Sequence, residues 1–370
     1  MSTGPDGEKR TVVYEGSTGS DVEALASTRF MLKATAARTE ALVNGGSSPH
    51  QQETMALTET ARRLVLTHSS RALGSEVSGD AIDFAAQPDE EAVQALRSAL
   101  LRRRVLFFRE PDAERVTTAN MLEWGGRMGV LEDHPFMPKQ RGEGRVAIFH
   151  FNEKIMGGAD LWHMDGSWRE TVPFAGFIRL KVCPPLGGDT LFCDMVAACA
   201  SLNPALRARL RQMHALHHDP RFLPTLQAQI EQGTLTADQF ERVAEEHNQA
   251  SWKHPIVTTH PETGEEMLRV NPGFTRYIVG LPDAESKALL QQLYWHCFGQ
   301  PEFHCRFKWT EGAICLWDNR CVAHYATSDY WPHVRRVERV CCLDDARFHL
   351  RLSAENAADK SLSSPRKSKL

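Results

Sequence analysis

The heptapeptide Trp162-His163-Met164-Asp165-Gly166-Ser167-Trp168 is the stretch on which the interpretation of this chain rests. Successive side chains of a β-strand point to opposite faces, so a strand here is predicted to turn His163 and Asp165 to the same side. One imidazole and one carboxylate on one side are two of the three ligands of a 2-His-1-carboxylate triad, which leaves positions open on an iron(II) ion. His-x-Asp alone also occurs by chance, so this motif needs support from elsewhere in the chain.

The missing histidine is expected far downstream, at His324. It lies in the segment Leu316-Trp317-Asp318-Asn319-Arg320-Cys321-Val322-Ala323-His324-Tyr325. The chain has 16 histidines, so the choice of His324 depends on its neighbours and not on its residue type alone.

Length and composition describe an ordinary globular protein of 370 residues, with 42% apolar and 24% charged residues. A formal net charge of -4 gives no reason to expect a nucleic acid or an anionic membrane as partner. No apolar run is long enough to cross a bilayer. The nine cysteines include no C-x-x-C pair, and their odd number without a signal peptide predicts reduced thiols in an intracellular compartment.

The composition divides the chain into three parts. Residues 1–60 are rich in small and charged residues and are predicted to form a flexible, partly helical N-terminal arm. Residues 61–350 carry the apolar patterns of a folded domain, which we expect to be catalytic. Residues 351–370 are polar and are predicted to be a disordered tail.

The folded part is predicted to be mainly β with peripheral helices. Short apolar runs such as residues 105–109 and 335–343 are bounded by turn residues, as strands are, whereas residues 89–101 and 284–298 have helical spacing. Many short strands with two or three helices outside them indicate a double-sheet jelly roll, that is, a double-stranded β-helix.

Six ordered motifs resemble the taurine dioxygenase family of iron(II)- and 2-oxoglutarate-dependent oxygenases. They are Trp162-His163-x-Asp165, Gly187-Gly188-Asp189-Thr190-Leu191, His260-Pro261-x-Thr263-Gly264, Val270-Asn271-x-Gly273-Phe274-Thr275, Trp317-Asp318-Asn319-Arg320 with His324-Tyr325, and the pair Arg335 and Arg339, which follow His324 by 11 and 15 residues. Six pieces in order over most of the chain are far more specific than any one of them.

The resemblance implies the metal ligands and the cosubstrate site. His163, Asp165 and His324 would bind Fe(II), and Thr190 and Arg335 would hold the distal carboxylate of 2-oxoglutarate, with O2 as the third small molecule. Arginine suits a dicarboxylate, because its fixed and always charged fork binds carboxylates in a bidentate way that lysine cannot match.

Strand parity separates the charged residues of the last predicted strand. Alternation puts Arg335 and Arg339 on one face, predicted to point into the barrel. It puts Arg336 and Glu338 on the other face, where they are predicted to form a solvated pair.

The resemblance also implies a pocket for a small anionic substrate. Arg339 and His134 match the family's sulfonate-binding arginine and histidine, and Phe274 and Trp168 are candidate pocket walls. The alternatives are an Arg339 paired with a core carboxylate, a His134 that caps its own loop, and aromatic residues that only pack in the core.

Departures from the family pattern narrow the substrate. Met137, Ala159 and Gly166 stand nearest to the positions where the taurine enzyme has polar groups for the amine, although Asp160 is close enough in sequence to supply a carboxylate. We therefore expect hydroxylation of a carbon that bears a sulfonate or a sulfate ester, giving an aldehyde plus sulfite or sulfate. One alternative is the same chemistry on a carboxylate such as an aryloxyalkanoate, bound by Arg339; the other is a non-catalytic metal-binding scaffold.

The sequence ends in Ser368-Lys369-Leu370, the peroxisomal address that is read at a free carboxyl terminus. In a eukaryote we expect binding to the peroxisomal import receptor and a peroxisomal location, and otherwise a cytoplasmic one. The resemblance also implies a homo-oligomer.

Overall fold

The computed structural model describes residues 64–78, 81–109, 115–132, 139–140, 143–219 and 251–343. The predicted arm of residues 1–60, the predicted tail of residues 351–370 and His134 lie outside these ranges. The three-part division of the chain and the role of His134 therefore stay predictions.

Short strands outnumber helices in the described ranges. The strands are, in chain order, β1 (Val65–His68), β2 (Ser75–Ser78), β3 (Val105–Phe108), β4 (Val130–Leu131), β5 (Lys139–Gln140), β6 (Glu143–Phe151), β7 (Ala175–Val182), β8 (Thr190–Asp194), β9 (His214–His218), β10 (Ser251–Pro255), β11 (Val257–Thr259), β12 (Glu266–Leu268), β13 (Thr275–Ile278), β14 (His304–Phe307), β15 (Ile314–Asp318), β16 (Val322–Ala326) and β17 (Arg335–Leu343). The helices are α1 (Glu90–Arg103), α2 (Thr118–Met128), α3 (Met195–Ser201), α4 (Pro204–Leu210) and α5 (Asp283–Phe298). In this part of the chain, no helix combines the length and the apolar character needed to cross a membrane.

Two sheets form the centre of the fold. The larger has the strand order β1-β2-β3-β15-β7-β17-β6-β5, with β4 added on β17. The smaller has the order β14-β8-β16 and is antiparallel throughout. Sheets β10-β9-β13 and β11-β12 complete the described strands. Mostly antiparallel sheets with helices outside them confirm the predicted mainly β, jelly-roll architecture.

The larger sheet is buried on both faces. Along β15 the side chains of Cys315 and Trp317 join an apolar cluster that also contains Phe192 of the smaller sheet. The alternate residues Ile314 and Leu316 join a second cluster, with side chains of α1 and α2. Because both faces are covered, such strands consist of continuous apolar runs instead of alternating ones.

Side chains at their N-termini cap α1 and α2, the two helices that pack on the larger sheet through the second apolar cluster. Asp89 accepts a hydrogen bond from the Ala92 N–H at the start of α1. Thr117 and Asn120 form a capping box at the start of α2, in which each side chain accepts from the other's backbone N–H. Asn120 Nδ2 also donates to the Ala85 carbonyl at 3.1 Å, so this amide ties α2 to the preceding loop.

The heptapeptide of residues 162–168 is not a strand, contrary to the prediction. Within it, His163 forms an isolated antiparallel bridge with His324, and the chain then enters a turn at Asp165. Gly166 has a φ of +62°, a left-handed conformation that ends any regular pairing. Asp165 therefore owes its position to contacts other than a strand ladder.

The parity prediction for β17 is right for the two arginines. Arg335 and Arg339 are both buried, at 5% and 7% exposure. Val337 lies between them in sequence and belongs to the apolar cluster that faces the smaller sheet. Arg335 and Arg339 thus share the face that looks into the barrel.

The same prediction is wrong for Glu338, which is buried and not part of a solvated pair with Arg336. Its Oε2 lies 4.0 Å from Nη1 of Arg179 on the neighbouring β7 and accepts a hydrogen bond from Thr118 Oγ1 at 3.2 Å. Helix α2 covers this face of the sheet, so the partners of Glu338 come from β7 and α2 instead of from solvent.

Candidate metal centre and anion site

Two histidines and one aspartate converge beside the smaller sheet. The backbones of His163 and His324 exchange two hydrogen bonds, of 3.0 and 2.8 Å. Asp165 Oδ1 lies 3.7 Å from His163 Nε2, and Oδ2 lies 3.7 Å from His324 Nε2. All three side chains are buried, and their candidate ligand atoms lie within 4.8 Å of one another. The fold thus brings together the three residues that the sequence predicts as iron ligands.

The protonation of these side chains fits a divalent metal ion. His163 Nδ1 lies 2.6 Å from the Leu161 carbonyl oxygen, which can only accept, so Nδ1 carries a hydrogen and Nε2 is the atom that can face a metal ion. Burial, and after it the His163 side chain, lowers the pKa of His324 to about 3, so His324 is neutral. Two neutral imidazoles and one carboxylate are the donor set of an iron(II) facial triad.

A glycine allows the predicted aromatic wall to approach the ligands. A Cβ atom on Gly273 would lie 2.8 Å from the His163 Cβ, a contact that no other residue could make without a shift of the backbone. The next residue, Phe274, lies edge-on to the His163 ring with 6.2 Å between centroids, and it packs against Trp168. Both predicted wall residues therefore lie beside the candidate ligands.

Arg335 is a buried cation suited to an anionic ligand. Its Nε has no hydrogen-bond partner among the described residues, and burial lowers the pKa of its guanidinium. Gly188, with a φ of +75°, packs against it, since a Cβ there would lie 3.2 Å from Arg335 Nε. A buried guanidinium with an unused donor is costly unless an anion completes it, which agrees with the predicted carboxylate site.

Thr190, the other predicted 2-oxoglutarate residue, is oriented by an indole. Trp309 Nε1 donates to Thr190 Oγ1 at 3.0 Å, and both residues are buried. Because the indole N–H can only donate, the threonine oxygen accepts and its own hydrogen stays available for an anion. Thr190 follows Gly188 by two residues, so one motif supplies both a hydroxyl donor and the close contact with Arg335.

Arg339, predicted to bind the substrate anion, is paired with a core carboxylate. Its Nη1 donates to Asp165 Oδ2 at 3.0 Å, and its guanidinium lies 5.3 Å above the Phe149 ring. Burial, the largest single influence, would lower the pKa of Arg339, but the Asp165 carboxylate together with Cys341 and Glu132 outweighs it, so the pKa is raised. This is the pairing that the sequence leaves open as an alternative; Arg339 Nε, without a partner among the described residues, retains a donor for an anion.

A buried polar network contacts the aromatic wall, and its two histidines, His217 and His254, are not among the residues predicted from the sequence. Ser167 Oγ lies 3.2 Å from His217 Nδ1 and accepts a hydrogen bond from Asn271 Nδ2 at 3.0 Å. His254 Nε2 lies 2.8 Å from the Arg169 carbonyl oxygen and donates to it. Burial lowers the pKa of His217 to about 3 and that of His254 to about 2, so both histidines are neutral in the folded protein.

We expect the protein to lose stability as the pH falls below about 6.5 because of His217 and His254. Unfolded histidines bind protons near that pH, whereas the folded pair, which faces the cations Arg269 and Arg276, does not. The unfolded state then binds more protons, so the free energy of unfolding falls by about 2 kcal/mol per histidine between pH 7 and pH 5. Urea denaturation at pH 7, 6 and 5 measures this loss.

The control for this prediction is the double variant His217→Gln/His254→Gln. Glutamine retains a hydrogen-bonding side chain but takes up no proton, so the free energy of unfolding should depend less steeply on pH. A pH dependence as steep as that of the wild type would contradict the assignment to these two histidines.

A second group of possible ligands, His260, Asp318 and Cys321, is not a metal site. His260 Nε2 lies 3.0 Å from Asp318 Oδ2, and its Nδ1 accepts from the Thr263 N–H at 3.1 Å, so neither ring nitrogen is left for a metal. Arg320 Nε donates to the same Asp318 carboxylate at 2.9 Å, and burial raises the pKa of the Cys321 thiol. These contacts join the His260 motif and the Trp317 motif into one structural network.

Comparison with known proteins agrees with the geometry of the centre. The sequence profile described as "Taurine catabolism dioxygenase TauD, TfdA family" matches residues 66–341. The fold is similar to the crystal structure of a taurine dioxygenase from Burkholderia xenovorans, with a TM-score of 0.62 and 30% identity; the match covers 76% of this chain and 90% of that one.

Three curated relatives differ in the substrates that their names state. An alkylsulfatase from Acinetobacter baylyi is 28% identical, over 75% of this chain and 84% of that protein. An alpha-ketoglutarate-dependent sulfate ester dioxygenase from Pseudomonas putida is 28% identical, over 72% of this chain and 85% of that protein. An alpha-ketoglutarate-dependent 2,4-dichlorophenoxyacetate dioxygenase from Cupriavidus pinatubonensis is 33% identical, over 55% of this chain and 67% of that protein.

Proposed function

Because this chain belongs to the TauD, TfdA family of taurine catabolism dioxygenases, we propose that it hydroxylates the carbon bearing a sulfonate or a sulfate ester. The hydroxylated product then breaks down to an aldehyde plus sulfite or sulfate. The chain is a 2-oxoglutarate-dependent non-haem iron dioxygenase, with Fe(II), 2-oxoglutarate (alpha-ketoglutarate) and O2 as cofactor and cosubstrates, as the sequence predicts. None of these relatives supports the alternative of a non-catalytic scaffold.

The position of Arg339 carries the substrate proposal. This buried guanidinium lies one hydrogen bond from Asp165, so an anion bound to it would hold the adjacent substrate carbon next to the metal centre. The relatives named for sulfated substrates favour sulfur oxyanions as that anion. An aryloxyalkanoate carboxylate remains the alternative, because the same guanidinium suits it and a third relative is named for such a substrate.

The chain's own residues bind and orient the small molecules. His163, Asp165 and His324 would hold the metal ion, which when bound supplies dioxygen activation coupled to conversion of 2-oxoglutarate to succinate and carbon dioxide. Arg335 and the available hydroxyl hydrogen of Thr190 would anchor the distal carboxylate of 2-oxoglutarate. The cosubstrate would then be held by the carboxylate that does not bind the metal.

The remaining residues control the substrate. Arg339 would bind its anionic group, and the buried rings of Phe274 and Trp168 would keep water away from the reacting carbon. His134 would complete the anion site.

The proposed function is tested by coupled turnover. Iron(II) and 2-oxoglutarate are added without oxygen, and then oxygen is admitted with an alkyl sulfonate, an alkyl sulfate ester or an aryloxy acid. Sulfite or sulfate release in proportion to succinate is the expected result. Succinate formation coupled only to aryloxy acids would establish the alternative, and no coupled succinate with any of them would overturn both.

We expect Arg335→Lys to raise the KM for 2-oxoglutarate by about 10- to 100-fold, which corresponds to the loss of a charged, bidentate contact. The matched control is Arg336→Lys, because Arg336 is the next residue and lies on the other face of β17. Its KM should stay close to that of the wild type. The KM is measured from succinate formation at varied 2-oxoglutarate concentration. An equal rise in KM for both variants would show that Arg335 has no specific role in binding 2-oxoglutarate.

The cellular location is proposed from residues 368–370 alone. Where Leu370 is the carboxyl terminus of the protein in a eukaryote, Ser-Lys-Leu would bind the peroxisomal import receptor. A fluorescent protein fused to the N-terminus should then collect in peroxisomes, and removal of the three residues should return it to the cytoplasm. The family also implies a homo-oligomer. Light scattering from the purified protein would measure its mass in solution and so test this.

A further inference from the structure

Asp165 is held in place differently from the two histidines. His163 and His324 fix each other through their paired backbone hydrogen bonds. Asp165 follows in the turn, where the positive φ of Gly166 ends any ladder. Arg339 donates one hydrogen bond to the Asp165 carboxylate, but the backbone of this turn needs an anchor of its own to keep the carboxylate between the two imidazoles.

The side chain of Asn319 provides that anchor. Its Oδ1 accepts from the Asp165 N–H at 2.9 Å, and its Nδ2 donates to the Asp165 carbonyl at 2.8 Å. The same Nδ2 donates to the Pro173 carbonyl at 3.1 Å, two residues before β7 begins. A carboxamide carries both a donor and an acceptor, so it bonds both backbone groups of Asp165 as a neighbouring strand would.

Asn319 is itself rigidly held. It is 1% exposed, and its backbone N–H donates to the Phe174 carbonyl at 2.8 Å. Its sequence neighbours Asp318 and Arg320 are buried and bonded to each other. The Asn319 amide therefore transmits the rigid geometry at the end of β15 to the turn that carries Asp165.

We infer that Asn319 is a positioning residue of the metal centre. It touches neither metal nor substrate, and acts by holding the Asp165 backbone so that the carboxylate lies between His163 and His324. The inference rests on the metal centre of the proposed function, but not on its substrate. Partners outside the ligand shell that orient a metal ligand typically change metal affinity by about 10- to 100-fold.

Metal binding tests this inference without turnover. The metal-free wild type and the variant Asn319→Ala are titrated with cobalt(II) by calorimetry, and the visible absorption of the bound cobalt is recorded. We expect Asn319→Ala to raise the Kd for cobalt(II) at least about 10-fold and to change the absorption band, because the aspartate no longer holds its geometry.

Asn120→Ala is the matched control. Asn120 also accepts a backbone N–H and donates to a carbonyl, but it does so at the start of α2, away from the candidate ligands. We expect this variant to lose thermal stability and to keep the wild-type Kd for cobalt(II). Asn319→Ser makes the same comparison if the alanine variant does not fold.

A double-mutant cycle separates positioning from general damage. If Asn319 acts through Asp165, then adding Asn319→Ala to Asp165→Ala should not raise the Kd further. The inference would be overturned if Asn319→Ala kept the wild-type Kd. It would also be overturned if Asn319→Ala raised the Kd by the same factor in the Asp165→Ala background as in the wild-type background. A wild type that binds no cobalt(II) would instead overturn the metal centre on which the proposed function depends.

Discussion

Replacement of His324 by alanine is expected to reduce 2-oxoglutarate-dependent succinate formation by at least about 10³-fold. The centre offers two imidazoles and one carboxylate within 4.8 Å of one another, and removal of one imidazole leaves too few protein ligands to hold the metal in place. A metal centre contributes several kcal/mol to catalysis, and each 1.36 kcal/mol is about tenfold in rate. Succinate formation with the best substrate of the panel measures the loss.

The control is a second histidine, partly buried, that also makes hydrogen bonds within the fold. His296 on α5 lies 2.9 Å from the Ala198 carbonyl oxygen and 3.1 Å from Ser201 Oγ, and it belongs to none of the candidate ligands. His296→Ala should lower stability but retain turnover. Similar losses of turnover in both variants would show that removing a histidine damages the fold in general. The assignment of His324 as a metal ligand would then lose its support.

The second large effect is expected on stability, from the replacement of Glu262 by alanine. The Glu262 carboxylate is 3% exposed and lies between two guanidinium groups: Arg97 Nη2 is 2.8 Å and Arg320 Nη2 is 2.7 Å from its Oε1. Both guanidinium groups also lie over the Phe174 ring, at 4.1 and 4.4 Å from its centroid. Without the anion two buried like charges face each other, so we expect a loss of about 3–5 kcal/mol in the free energy of unfolding.

Glu265→Ala is the matched comparison for Glu262→Ala. Glu265 is three residues away and pairs with Arg104 at 2.9 Å, but its side chain is 45% exposed and solvent screens the pair. The Glu265→Ala variant should lose less than about 1 kcal/mol in the free energy of unfolding. Urea denaturation of both variants at pH 7 gives the two values, and equal losses would show that the buried position of Glu262 is unimportant.

The buried contacts of Glu262 give a structural role to residues of two motifs that are not themselves predicted to bind the metal or a substrate. Glu262 is the unspecified residue of the His260-Pro261-x-Thr263-Gly264 motif, and Arg320 ends the Trp317-Asp318-Asn319-Arg320 motif. A hydrogen bond between His260 and Asp318, which are 58 residues apart in sequence, also joins the two motifs. The network holds the end of β15, where Asn319 reaches Asp165.

Local chemistry suggests the candidate ligands and the shared face of the two arginines, and the resemblance to a family supports both. The residue types of His163, Asp165 and His324 restrict the chemistry to a metal with nitrogen and oxygen donors. The alternation of side chains along a strand has a period of two, so Arg335 and Arg339 share a face whatever the rest of the fold does. Apolar runs and turn residues likewise predict the jelly roll, because strand length and the spacing of apolar residues are local properties.

The sequence by itself therefore determines the fold class, the ligand types and the faces of the last strand, since each follows from residue type and spacing. Only the tertiary structure decides that Asp165 lies in a turn held by Asn319, 154 residues away. It also decides that Glu338 is buried against Arg179 and that Arg339 pairs with Asp165. Each of these depends on which distant segments pack together, and spacing along the chain carries no information about the partner across a sheet.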